Sequence, residues 1–216
     1  MTDIALAHLT SMQKYWLITG SVGPRPIALV TSLNEAGLCN AAPYSAFNYM
    51  GEDPPLFVIA MDHYGEESHR PGELKDSLKN IVASKEFVVN MVDEPILERA
   101  VRCGIDYPAH ISEAESVGFE LTQSVAVKVP RILEAPIAWE CRLYKILEFS
   151  KYRTMVFGEI VSMYFREDLI DEEALRVNVD RFAPVGRLGG PNYARSTDRL
   201  RLPVPTFLPS AGKPRV

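Results

Sequence analysis

Residues 23–50 read GPRPIALVTSLNEAGLCNAAPYSAFNYM. Inside this stretch the run 27–33, IALVTSL, is short, aliphatic and β-branched and stops at a turn, which predicts a buried strand. Residues 34–37, Asn-Glu-Ala-Gly, close a hairpin into a second strand over 38–42. Beyond it, NAAPYS and Asn48 crowd small, hydroxyl and aromatic side chains into one loop. Such a loop suits a flat polar ligand.

Working outward, Pro54-Pro55 ends the loop, because proline lacks an amide donor and restricts its predecessor, and LFVIAMD follows as a strand. Residues 63–72 are polar and irregular, an expected exposed loop. Asp76 or Ser77 then caps a helix, SLKNIVAS, with Leu78, Ile81 and Val82 on one face. FVVNMV, 87–92, returns to strand. A second helix is expected over 94–103, with proline in its first turn and Gly104 as its stop. Alternation of Phe119, Leu121, Val125, Val127 and Val129, then of Ile137, Trp139, Cys141 and Leu143, and the run 155–165 predict antiparallel strands. DEEALRVN, 171–178, reads as a helical turn or two. At the N-terminus, Leu6, Leu9, Met12, Trp16 and Leu17 have roughly helical spacing, so residues 1–20 form a helix or packed arm. Residues 196–216 are a Pro-rich tail. Strands separated by hairpin turns, with short inserted helices, define a mainly β protein: a closed or nearly closed antiparallel barrel, one domain over 1–216.

The chain has 216 residues, 47% of them hydrophobic, with mean hydropathy -0.04 and no run near the roughly 18 apolar residues of a membrane helix. The N-terminus has an early acid and polar interruptions in place of a secretory signal. Three cysteines without a CxxC pair read as reduced thiols, so a cytoplasmic location is expected. A net charge of -5 argues against nucleic acid as the main partner. GxGxxG, GxxxxGK[ST] and GxSxG are absent from the sequence. His8, His63, His69 and His110 are scattered; His63 and His69 read as solvated loop residues, and no metal is expected.

Three stretches concentrate phosphate and ring ligands. The first holds Arg25, Thr31, Ser32, Asn40, Ala42, Pro43, Tyr44, Ser45 and Asn48. The second is Lys75-Asp76-Ser77, leading into Asn80, at a helix N-terminus where free amides and the helix dipole favour an anion. The third is GRLGGPNYAR, whose paired glycines allow close backbone approach beside Arg187 and Tyr193. Each has a plainer alternative: a surface ion pair for Arg25, a packed turn for Pro43-Tyr44, an N-cap for Ser77, surface packing for Tyr193.

RPIALVTS with NAAPYSAFN, DPPLFVIAM, KDSLKNI with EFVVN, ECRL, FGEIV and GRLGGPNYAR occur in an order that resembles the flavin reductase-like family, its flavoredoxin-like members included. The resemblance implies a Greek-key split β-barrel that binds FMN. It places Thr31, Ser32, Asn40, Ala42, Pro43, Tyr44 and Ser45 around the ring edge and ribityl chain, and matches KDS to the family's phosphate-holding KDT. Arg25 becomes a further phosphate or ring candidate, with Thr31 and Ser45 as candidate donors to the ring. Arg187 and Tyr193 would close over the flavin of a homodimer whose sites lie near the subunit interface. NADH or NADPH would deliver hydride to flavin N5, and the electrons would pass to a second acceptor such as a partner oxygenase, with no catalytic side chain required. Two other readings stay open: an FMN carrier or electron-transfer protein without its own nicotinamide site, and a split barrel for another flat ligand such as haem.

Overall fold

The structure is a computed structural model describing residues 2–202 and two strand pieces, Thr206–Phe207 and Pro214–Arg215. The rest of the expected Pro-rich tail lies outside the described residues. Seven strands carry the fold: β1 (Ala28–Leu33), β2 (Cys39–Tyr44), β3 (Phe47–Glu52), β4 (Pro55–Asp62), β5 (Glu86–Met91), β6 (Ile137–Ser150) and β7 (Arg153–Phe165). They form one antiparallel sheet in the order β2-β1-β5-β6-β7-β4-β3. The two edge strands, β2 and β3, are consecutive in the chain and joined by Ser45-Ala46, and Ala60 on β4 donates to the Ala46 carbonyl (2.8 Å). The sheet therefore curls back on its own corner, and the fold is the mainly β split barrel.

β1 is buried on both faces, which is why residues 27–33 read as an unbroken apolar run. Ala28 and Val30 face the barrel interior with Phe47, Phe57, Phe87 and Val156. Ile27 and Leu29 face outward against Val92, Ala100, Ala114 and Val185, where helices cover the sheet. The interior is organised by rings: Phe57 lies 5.8 Å from Phe87 and 5.6 Å from Trp139, centroid to centroid, and Phe47 lies 5.9 Å from Phe57. β7 passes this stack only because position 158 is glycine. A Cβ there would sit 2.7 Å from Phe87 Cζ and closer still to the Phe57 ring.

The helices are α1 (Ser11–Ser21), α2 (Asp76–Ser84), α3 (Leu97–Arg102) and α4 (Glu113–Ser116). α1 starts later than the apolar spacing suggested, because Thr10 and Gln13 form a capping box that fixes its first turn. Two expectations fail. Residues 118–133 contribute only the short Leu121–Thr122 and Arg131–Ile132 pairing. There Val127 and Val129 are buried as plugs, Val125 is 87% exposed, and the amides of Val125 and Ala126 donate to the buried Glu140 carboxylate instead of to a neighbouring strand. Residues 171–178 form a tight two-stranded turn, not a helix, because Asp171 Oδ1 accepts from the amides of Glu173 and Ala174 and Leu175 takes φ 50.

Gly158→Ala should overpack the ring stack and lower stability by about 1–3 kcal/mol, seen as a lower urea midpoint with an unchanged slope.

Candidate functional site

The end of β2 is a ridge, Pro43-Tyr44-Ser45, around which three clefts open. The first, about 450 Å³, lies between Asn40, Lys75, Ser77 and Glu113 on one side and His63, Tyr64 and Asp106 on the other. The second, about 460 Å³, is walled by Ile27, Leu97, Ala100, Val101 and Pro191, with Arg187 and Tyr193. The third, about 400 Å³, has Tyr15, Ile18 and Val22 of α1 as one wall and Arg25, Arg153 and Arg187 among its polar residues. Tyr44 lines all three.

α2 points its N-terminus into the first cleft. Lys75, at the N-cap, is extended (φ -61, ψ 151), and its side chain makes no cap hydrogen bond, so the first amides of α2 keep no side-chain partner among the described residues. Lys75 itself forms no ion pair there. Ser77, 1% exposed, is tied to β2. With the Asn40 amide oriented to satisfy its neighbours, its oxygen accepts from the Ser77 hydroxyl (2.8 Å) and the Ala41 amide (3.1 Å), and its nitrogen donates to Glu113 Oε1 (3.2 Å). Glu113 also accepts from Ala41 N–H at 3.0 Å. Burial raises the Glu113 pKa, with the Ala41 amide opposing the shift. α4 carries this carboxylate under β2, held by Ser112, whose hydroxyl donates to Cys39 O (2.7 Å) and accepts from Glu115 N–H.

Tyr44 Oη is buried without a hydrogen-bond partner among the described residues. Burial pushes its pKa up to about 12; the neighbouring Ser77 hydroxyl works the other way but is directed at Asn40. A buried hydroxyl with no partner among the described residues, on a residue that lines three clefts, is a candidate ligand contact.

The structure gathers Asn40, Ala42, Pro43, Tyr44, Lys75, Asp76 and Ser77 around the first cleft, and Ser45, Arg187 and Tyr193 around the second. It does not bring in Thr31, Ser32 or Asn48, and Asn80 lines only a small neighbouring cleft with Asn40 and Asp76. Thr31 is fully buried and donates to Pro130 O at 2.8 Å, while Ser32 accepts from Asn80 Nδ2 at 3.2 Å, so these three polar side chains are internal pins. Asn48 is exposed on β3 and bonds the Tyr49 amide. Arg25 lines the third cleft, but neither as a surface ion pair nor with a free guanidinium: it donates to the carbonyls of Thr19, Val22 and Leu188, the last at 3.0 Å. Asp76 is bound at both oxygens by Arg70 (2.8 and 2.9 Å). His63 is no solvated loop residue; its ring nitrogens meet Lys151 O (3.0 Å) and Thr154 Oγ1 (2.9 Å) at the cleft edge. Sequence reasoning missed Arg70, Tyr64 and Glu113. Only the Ser112-x-x-Glu115 cap pattern marked the α4 start, and nothing local marked the ion pair.

The sequence profile of the flavin reductase like domain matches residues 21–186, and the chain belongs to that family. It is similar to 2-nitrobenzoate 2-nitroreductase NbaA of Pseudomonas fluorescens, with 72% identity, 98% of this chain and 100% of that one covered, and a TM-score of 0.88. Nitrilotriacetate monooxygenase component B of Bacillus cereus is 31% identical over 94% of this chain and 98% of its own, with a TM-score of 0.86. A protein of Aquifex aeolicus (strain VF5) is 36% identical over 190 residues, 88% of this chain and 93% of the relative. The family and these neighbours make the chain a flavin-related oxidoreductase. No helix among the described residues is long and apolar enough to cross a membrane.

The site's buried acids set an alkaline limit. Tyr44 rises from 10.0 to about 12, and Cys39 and Cys103 from 9.0 to about 12, mainly through burial. Raised folded values mean that their stabilising contribution is whole below the unfolded pKa and lost as pH rises through the window to the folded one. The thermal midpoint should therefore fall steadily from pH 9 to 12, and Tyr44→Phe should make the decline above pH 10 shallower.

Proposed function

We propose that the chain is an FMN-dependent reductase of aromatic nitro acids that draws its hydride from NADH or NADPH. The observation that carries this reading is the uncapped, lysine-flanked N-terminus of α2 beside the buried, unpartnered Tyr44 hydroxyl. An anion seat and an orphan donor line one cleft, with Pro43 beside them. These residues fit FMN. Bound there, FMN would supply the hydride acceptor and the electron store that no side chain of this chain provides.

The chain's own residues then have separable tasks. The amides of α2 and the Lys75 ammonium hold the phosphate, and the Asn40–Glu113 network, by taking the Ser77 hydroxyl, ties the start of α2 to β2. Pro43, Tyr44 and Ser45 set the ring edge. Tyr44, a neutral phenol, donates a hydrogen bond rather than presenting a charge. The second cleft, apolar with Arg187 at hand, suits an aromatic acid. The substrate class rests on the 72% identity to the 2-nitrobenzoate reductase over nearly the whole chain. The similarity to a monooxygenase component B favours a second reading, a reductase that hands electrons to a partner oxygenase.

The proposal includes a homodimer in the cytoplasm. Tyr49 and Phe149 are each 71% exposed, with Met50, Tyr144 and Met163 also open, apolar surface that a second subunit would cover. All three cysteines are free and buried, as suits a reducing compartment.

The purified protein should be yellow or turn yellow with added FMN, bleach anaerobically with NADH or NADPH, and recolour on adding 2-nitrobenzoate. Bleaching without reoxidation by the nitro acid would favour the oxygenase partner. Bleaching by neither nucleotide would leave an electron-transfer flavoprotein, and no FMN binding would end the reading. Lys75→Ala should weaken FMN by about tenfold or more while sparing riboflavin, measured by fluorescence titration.

A further inference from the structure

The anion seat at α2 contains a contradiction that the structure resolves with a residue outside the site. Asp76, the first residue of α2, has its side chain only 18% exposed and lines the same cleft as Lys75 and Ser77. A free carboxylate there would suit the helix dipole and repel a phosphate arriving at the same amides. Arg70, six residues earlier, occupies both carboxylate oxygens in a fork at 2.8 and 2.9 Å. Its own side chain is 15% exposed, its guanidinium carbon lies 4.1 Å from the Tyr64 ring centroid, and Nη2 also contacts the Tyr64 hydroxyl. Tyr64 in turn donates to Asp76 Oδ2 at 3.3 Å, and Lys75 Nζ stands 5.8 Å from the same ring.

We infer that Arg70 is the positioning residue of the anion seat. It masks the Asp76 carboxylate and braces Tyr64, so that Lys75 and the α2 amides meet a dianionic ligand without an opposing charge. The inference rests on the proposed FMN reading. The other acids near the seat have partners of their own. Asp106 faces Arg70 at 3.4 Å and His69 at 3.2 Å, and Glu113 is held by Asn40 and Ala41 with its pKa raised by burial. Without Arg70, the Asp76 carboxylate would face the seat with only the Tyr64 hydroxyl bound to it. A guanidinium is required for this, since a lysine could not span both oxygens and stack on Tyr64 together.

The test is affinity, not turnover. Arg70→Ala should weaken FMN about ten- to a hundredfold, the range for removing a charge-assisted pair, and leave riboflavin binding close to the parent's. Arg70→Ala/Asp76→Asn should recover most of the lost FMN affinity, because the repelling charge is gone. Asp76→Asn alone should bind FMN as well as the parent or better. Equal losses of FMN and riboflavin in Arg70→Ala, or no recovery in the double variant, would overturn the inference in favour of a purely structural ion pair. Selective loss of FMN in Asp76→Asn would also overturn it. A parent protein that binds neither flavin refutes the FMN reading itself, and the two failures are thereby told apart.

Discussion

Burial of β1 on both faces is the constraint from which the rest follows. One face closes the ring-filled barrel and the other receives the helices, so the positions from Ala28 to Ser32 have no water to turn to. Its two polar residues must then find partners inside. Thr31 binds the Pro130 carbonyl and anchors the strap that crosses the sheet; Ser32 receives the amide of Asn80 and so fixes α2 against β1. Because α2 is seated from its middle, its N-terminus is held beside the start of β2, where Asn40 meets Ser77. The cleft is a consequence of how the core satisfies its own polar groups.

The electrostatics of that cleft depend on masking as much as on attraction. Free amides and Lys75 make one end favourable to an anion, yet Asp76, Asp106 and Glu113 lie within the same walls. The structure removes their opposition by different physical means. Asp76 is bound by a guanidinium, and Glu113 is desolvated and hydrogen-bonded into the strand beneath. Tyr44 completes the arrangement as a neutral donor with no partner among the described residues.

The sequence made the barrel legible because β-branched runs, hairpin turns and alternation are local signals, and residues 27–33, 87–92 and 155–165 form strands where those signals place them. It misled where alternation met a different source of hydrogen bonds. Residues 125–129 alternate like a strand, but Glu140, distant in sequence, takes the amides that a neighbouring strand would have taken. In the candidate site, Asn40, Pro43, Tyr44, Lys75 and Ser77 were legible from residue type and from the helix end they flank. Thr31, Ser32 and Asn80 have equally polar side chains; only their burial, a property of the whole fold, separates a core pin from a ligand. Arg70 was illegible for the same reason, since its partner is chosen by the folding of residues 63–72 over α2.

The structure of the complex with FMN tests the central claim most directly. The predicted result is a phosphate within hydrogen-bond distance of the first α2 amides, the Lys75 ammonium beside it, and the ring edge along Pro43, Tyr44 and Ser45. A phosphate held instead by Arg25, Arg153 or Arg187 in the third cleft would contradict it.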